Sequence, residues 1–327
     1  MKKLMSIMML AWMGICAAQA AKSYDTPDTI VVAQDGSGEF TTISEAVEVC
    51  RAFTDYHKVI YIKKGVYCEK VVIPSWKTNI ELCGEDAETT ILTHNDHANM
   101  VYPNTTLKIG TFRTYTLKIE GSDITIKNLT IENNAPRRGQ AVALHTEGDR
   151  IKLINCRLLG HQDTVYTGVA NTRVVFNGCY IEGTTDFIFG PSTAWFEKCH
   201  IHSKANSYIT AASTPKGVKW GYVFNECKLT ADEGVNKVYL GRPWRPYAYT
   251  LFMKCELGSH IVAAGWQAWS NKEDVSTTTY VEYKNYGPGA NADKRVEWSR
   301  QLTDKEAKGV TFEEVMGTQE SDWNVKL

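Results

Sequence analysis

Two stretches share one frame: Cys156-Arg-Leu-Leu-Gly160-His-Gln-Asp163 and Cys179-Tyr-Ile-Glu-Gly183-Thr-Thr-Asp186. Each places a glycine four residues after a cysteine and an aspartate seven after it. Working outward, each cysteine sits in a shorter pattern, apolar-x-x-Cys-x-apolar. The pattern recurs at Phe196-Glu-Lys-Cys199-His-Ile201, Phe224-Asn-Glu-Cys227-Lys-Leu229 and Phe252-Met-Lys-Cys255-Glu-Leu257. With leucine in place of cysteine it recurs at Ile126-Lys-Asn-Leu129-Thr-Ile131. The marked positions are 27, 23, 20, 28 and 28 residues apart. Self-similarity on that scale is the mark of stacked repeats.

Each repeat is short, alternating and rich in β-formers, and glycines, asparagines and polar residues separate one from the next. Little room remains for a crossover helix. The economical architecture is all-β: a solenoid in which each repeat is one coil and equivalent strands pair in parallel. Equivalent residues then stack about 4.8 Å apart along the axis. The cysteines become a ladder of small apolar core residues. Their parallel side-chain vectors suit disulfides poorly, so free buried thiols are expected. A bridge involving Cys50, Cys68 or Cys83 stays open as the alternative.

A solenoid needs capped ends. Thr42-Ile-Ser-Glu45 reads as a capping box, and Ile43, Ala46, Val47 and Cys50 form one helical face behind it. A short N-terminal helix is therefore predicted to close that end. Thr303-Asp-Lys-Glu306 predicts another helix near the C-terminus, and residues 270–300 read as irregular chain packed along the side. No Pro/Ser-rich linker divides the chain, so residues 21–327 read as one domain.

Residues 1–20 read as a signal peptide. Lys2 and Lys3 precede an apolar run from Leu4 to Ala18, and Ala18-Gln19-Ala20 fits a small-x-small cleavage site. Cys16 follows Ile15, a poor match to a lipoprotein site. The expected mature protein is secreted, to the periplasm or beyond the cell. Removing two lysines from 36 basic residues leaves 34 against 37 acidic, a formal charge of −3. That near-neutral balance argues against a nucleic-acid partner. No other apolar stretch approaches the ~20 residues needed to span a bilayer.

If the cysteines stack, so do Asp163 and Asp186, about one strand spacing apart. Two carboxylates that close repel, and one tends to hold a proton unless a cation intervenes. Their proton affinities separate, which allows one acid and one base or nucleophile. The candidate cation is Arg242, in Tyr239-Leu-Gly-Arg-Pro-Trp244, because arginine holds a carboxylate in a fixed fork. The plainer reading, two aspartates that shape two turns, fits either residue alone better than it fits the matched pair.

Taken in order, several segments resemble the pectin methylesterases. They are Asp35-Gly-Ser-Gly-Glu-Phe-Thr-Thr-Ile43, Gly65-Val-Tyr-Cys-Glu69, Gln140-Ala-Val-Ala-Leu144, Gly160-His-Gln-Asp-Thr164, Asp186-Phe-Ile-Phe-Gly190, Leu240-Gly-Arg-Pro-Trp244 and Gly265-Trp-Gln-Ala-Trp269. Each is weak alone; the ordered set is specific. The resemblance implies a right-handed parallel β-helix that removes methyl esters from the galacturonan of pectin, acting as a monomer without cofactor or metal. By motif, Asp186 resembles the nucleophile and Asp163 the general acid/base. Gln140 and Gln162 resemble the oxyanion donors, and Arg242 the holder of the nucleophile. Trp244 and Trp269 resemble sugar-platform aromatics, and Tyr166 and Phe187 are placed as further substrate-binding residues.

Rival readings remain. Carboxylates about 5 Å apart also suit a retaining glycosidase, and Arg150-Ile-Lys152 echoes a short motif of galacturonan hydrolases, whose Asp-Asp pair is absent. No Gly-x-Ser-x-Gly supports a serine esterase. His200 and His202 form a lone His-x-His without further metal ligands. Trp266 divides evenly between core and cleft. A non-catalytic pectin-binding solenoid would need none of the Asp, Arg and Gln set.

Overall fold

The computed structural model describes residues 23–270, 274–317 and residue 323. Residues 1–20, read as the signal peptide, lie outside that set.

One coil shows why the chain winds. The strand Arg173–Asn177 ends at Gly178, whose φ is +61, and the chain turns through Cys179 into the strand Tyr180–Gly183. A second corner at Asp186, φ +48, leads into the strand Ile188–Gly190, and the next coil opens with Thr193–Glu197. Each strand pairs in parallel with its equivalent one coil on: Phe176 with Phe196, Ile181 with Ile201, Ile188 with Thr210. Repeated along the chain, this gives three parallel sheets of eleven, eight and seven strands among the described residues. The architecture is the expected right-handed parallel β-helix.

The corner before each ladder position is left-handed: Asn128, Asn155, Gly178, Lys198, Glu226 and Lys254 have φ between +49 and +61. Side chains other than glycine and asparagine pay for that conformation with strain. Pairing between coils holds it, since the N–H groups of Asn155, Gly178 and Lys198 each donate to a carbonyl of the next coil at 2.9 Å.

Inside, Phe176, Phe196, Phe224 and Phe252 stack with centroids 4.2–4.5 Å apart and planes within 8°. Beside them run Cys156, Cys179, Cys199, Cys227 and Cys255, all buried and all free thiols. Cys50, Cys68 and Cys83 are free as well, so the bridged alternative falls away. Each ladder Sγ donates to a main-chain carbonyl of the preceding coil, Cys179 to Leu153 at 3.4 Å and Cys227 to Phe196 at 3.3 Å. A thiol fills the small site and supplies a weak donor there, which alanine would not. Cys179→Ala should therefore cost about 1 kcal/mol through a small cavity, and Cys179→Asp far more through a buried charge. Denaturant unfolding of both variants checks this, together with thiol labelling that is slow in the native state and complete after unfolding. Rapid native labelling would contradict the ladder.

The N-terminal helix Ile43–Glu48 buries Ile43, Ala46 and Val47 against this core. Thr42 accepts from the Glu45 N–H, but the Glu45 carboxylate meets the Thr42 hydroxyl and not its N–H, so only half of the expected box forms. The full box forms at Thr303, where the helix Asp304–Ala307 begins. With Phe312–Met316, that segment lies along the outside of the eleven-stranded sheet, where Phe312, Val315 and Met316 cover Val175, Trp195, Val223 and Leu251. The described part of the stretch read as irregular, residues 274–300, is more regular than its sequence suggests. Within them Thr279–Tyr283 extends the same sheet, paired in parallel with Tyr249–Met253. No helix among the described residues is long and apolar enough to cross a membrane.

Candidate active site

The corners that open the seven-stranded sheet position the site. Val165 pairs with Ile188, so Asp163 and Asp186, two residues earlier in each strand, occupy equivalent places on adjacent coils. Both are left-handed, φ +67 and +48. Aspartate tolerates that region better than most residues, and such strain concentrates at functional sites. The N–H of Asp163 donates to the Thr185 carbonyl at 3.1 Å, and that of Asp186 to Tyr208 at 2.8 Å. Glycine is required at the turn before each: a Cβ on Gly160 would collide with Thr164, and one on Gly183 with Phe187.

Arg242, just past the strand Tyr239–Gly241, reaches back to Asp186. It forms a two-pronged pair, Nε to Oδ1 at 3.0 Å and Nη2 to Oδ2 at 2.6 Å. Its guanidinium lies between two rings, Tyr208 and Trp269, 4.0 Å from each centroid. The Tyr208 hydroxyl donates to the Gln267 side chain. Stacking and forked bonding leave Arg242 little freedom.

Electrostatics separate the two carboxyls. Burial pushes the Asp163 pKa well above the usual carboxylate range; the neighbouring Asp186 adds to this, and Arg242 opposes it. Burial also raises Asp186, but the hydrogen bonds and charge of Arg242 pull it back. The pair titrates as a unit, and the first proton leaves Asp186. His161, by contrast, is lowered to about 4 by burial and by Lys204 and Arg137, so it is neutral at pH 7.

A cavity of about 200 Å³ opens over these groups. Gln140, Gln162, Asp163, Asp186, Arg242, Trp244 and Trp269 all line it, which brings together seven of the nine residues chosen from sequence. Neither glutamine amide has a hydrogen-bond partner among the described residues, so both remain available to a ligand. Thr111, Phe112, Phe189 and Ala211 complete the lining and were not anticipated.

One choice needs correction, and one lies outside the lining. Phe187 is fully buried in the core, packed behind Gly183. The left-handed turn at Asp186 interrupts strand alternation, so Phe187 and Ile188 both enter the core and Phe189 faces the cleft. Tyr166 is half-buried and not among the lining residues; it stacks on Phe189 at 4.6 Å and is tilted against Phe112 at 4.9 Å, and both of those rings line the cavity. It braces the aromatic wall. Trp266 is core, 1% exposed. His200 and His202 share Thr230, and His202 also meets Asp232 at 2.9 Å. Arg150 is tied to Asp123 and Asp149 away from the cavity.

A family model described as pectinesterase matches residues 29–319. Pectinesterase 31 of Arabidopsis thaliana is 37% identical over 287 residues, covering 86% of this chain and 90% of the relative. The solved pectin methylesterase from carrot superposes with a TM-score of 0.83 at 32% identity, covering 91% of this chain and 95% of that one. A solved pectin methylesterase in complex with a hexasaccharide gives 0.77 at 29%, covering 92% and 99%. Fold and matches place the chain among the carboxylic ester hydrolases built on a parallel β-helix. It belongs to the pectinesterase family.

Proposed function

We propose that this chain hydrolyses the methyl esters of homogalacturonan, releasing methanol and leaving free carboxylates, with Asp186 as nucleophile and Asp163 as acid and base. The observation that carries the reading is the asymmetry of the pair: Arg242 grips Asp186 alone, while Asp163 is the carboxyl that burial drives furthest toward its protonated form. The hexasaccharide complex of a structural relative supports a pectin chain as the ligand of the cleft.

The chemistry follows from these positions. The ionised Asp186 attacks the ester carbonyl, and the oxygen takes up negative charge in a tetrahedral intermediate. The free amides of Gln140 and Gln162 donate to that oxygen, each such donor being worth roughly 100-fold or more in rate. As the intermediate collapses, Asp163 gives its proton to the departing methanol. The galacturonyl group is then joined to Asp186 as a mixed anhydride. Asp163, now ionised, takes a proton from water, which splits the anhydride and restores both carboxyls to their starting states. Arg242 and its two rings fix the attacking oxygen, and Trp244 and Trp269 offer apolar faces to the sugar rings.

A retaining glycosidase would also use two nearby carboxylates. The unengaged amides and the family match favour the ester. Incubation with methyl-esterified homogalacturonan tests this. The expected products are methanol and carboxylates in equal amounts without new reducing or unsaturated ends. New reducing ends would make the enzyme a hydrolase of the chain, unsaturated ends a lyase, and no product a binding protein.

Every step uses a carboxyl, an amide or a guanidinium. EDTA should therefore leave methanol release unchanged at matched ionic strength, a control needed because the polymer is acidic. Loss of activity that one divalent ion restores would contradict the mechanism. A single domain, a monomeric state and secretion go with this reading. The continuous core from Ile30 to Tyr280 supports the single domain, and the basic-then-apolar start of the chain supports secretion. Sedimentation of the purified protein and N-terminal sequencing of the exported form check them.

A further inference from the structure

We propose that Lys204 is a positioning residue for the ester reaction: it staples the turn that carries Gln162 and Asp163 to the turn that leads into Asp186, and so sets the aim of one oxyanion donor and of the acid. The inference rests on the pectin reading above and adds to it a residue that lies outside the cavity lining.

Three coils meet at this lysine. It follows the strand His200–Ser203, and its N–H donates to the Gly183 carbonyl at 2.8 Å, just before Asp186. Its side chain runs back across that coil toward the coil of Asp163. There Nζ donates to the Gly160 carbonyl at 3.1 Å and to Glu182 Oε1 at 2.6 Å. Gly160 opens the turn whose next three residues are His161, Gln162 and Asp163. Coils two apart are separated by roughly 9–10 Å, a gap that needs a side chain as long as lysine's. Glu182 is held in its turn by the Tyr180 hydroxyl, which donates to Oε2 at 3.0 Å. Lys204 and Glu182 are only 19% and 17% exposed, so the contact is better shielded than an ordinary surface ion pair.

The turn of Asp163 is a strained one, with φ +67 at the aspartate itself. Main-chain bonds fasten it at three points. The N–H groups of Thr184 and Ala141 donate to the carbonyls of His161 and Gln162 at 2.8 and 3.0 Å, and the Asp163 N–H donates to Thr185 at 3.1 Å. Each of these joins neighbouring coils only. Lys204 differs, because it grips the Gly183 turn with its main chain and the Gly160 turn with its ammonium. One residue thus registers the turns of both aspartates. A displacement of about 1 Å among reacting groups can cost on the order of 100-fold in rate. The cleft aromatics Trp244 and Trp269 come from other parts of the chain, so binding of the sugar rings does not depend on this staple.

The test measures kcat and KM for methanol release from methyl-esterified oligogalacturonide by the full protein and four variants, per folded molecule as judged by thermal unfolding. Lys204→Met should lower kcat by about 10- to 100-fold and leave KM within about twofold. Lys204→Gln, polar but too short to reach Gly160, should show the same split and serves if the methionine variant does not fold. Lys204→Arg should restore most of kcat, since its longer fork offers donors to both acceptors. Glu182→Gln leaves Lys204 an acceptor and should cost far less kcat than Lys204→Met. Unchanged kcat in both Lys204→Met and Lys204→Gln, or a loss that the unfolded fraction accounts for in full, would overturn the staple. So would a loss in Glu182→Gln as deep as that in Lys204→Met, because the ion pair and not the hold on Gly160 would then carry the effect. Absence of methanol release by the wild type would instead overturn the pectin reading, and the staple's role with it.

Discussion

Asp186→Asn should lower the rate of methanol release by a factor on the order of 10⁴ or more, because removing a nucleophile removes the step on which all later ones depend. The fold should survive. Asparagine accepts the left-handed corner at φ +48, and its side-chain oxygen can still receive a hydrogen bond from Arg242. Burial raises the pKa of Asp186, so its charge is held in the folded state at a cost. Thermal unfolding of the variant at pH 7 should be as high as that of the wild type or higher. Near-normal turnover would remove Asp186 from the mechanism, and a collapsed unfolding temperature would recast it as a structural residue.

Asp163→Asn should lower the rate by roughly 100- to 10⁴-fold, the usual contribution of a positioned acid and base. It also makes a prediction about stability whose sign follows from linkage. The folded protein holds the Asp163 proton well above the reference value of 3.8, so between that value and the raised one the folded state binds more protons than the unfolded state. Stability from this group is present at low pH and falls as pH rises through the interval. Asparagine does not titrate. The variant should match the wild type below about pH 4 and be the more stable of the two at pH 7. Unfolding measured at both pH values checks this; a variant less stable at pH 7 would mean that Asp163 is ionised and paired there.

The cysteine spacing gave away the coil length and the register, and with them the meeting of Asp163 and Asp186. The corners were hidden. Asn155 and Gly178 carry the usual signals of a left-handed turn, but Lys198, Glu226 and Lys254 adopt the same conformation. Pairing between coils imposes it there, and that information is not local. The placement of Phe187 at the cleft followed its position beside Asp186, but the residue after a cleft-facing one turns inward, and Phe187 does. Yet the offset rule that aligned the two aspartates also aligns Tyr166 with Phe189, each three residues later, and the two are paired in register. Applied once more, it would have selected Phe189. Thr111 and Phe112 lie in a stretch that carries no repeat signal, so nothing in the sequence brought them to the cleft. The clamp on Arg242 combines Tyr208 with Trp269, residues 61 positions apart that only the stacking of coils brings together.

The central claim is that the substrate acyl group passes through Asp186. Hydroxylamine tests it directly, because the nucleophile attacks a mixed anhydride at the enzyme's carbonyl and leaves a hydroxamate on the side chain. The enzyme is allowed to turn over esterified oligogalacturonide with and without hydroxylamine, and its peptides are then mapped by mass. The account predicts substrate-dependent inactivation, with the hydroxamate confined to Asp186 and absent from the Asp186→Asn variant. A hydroxamate on Asp163 instead, or an enzyme left unmodified and fully active, would contradict it.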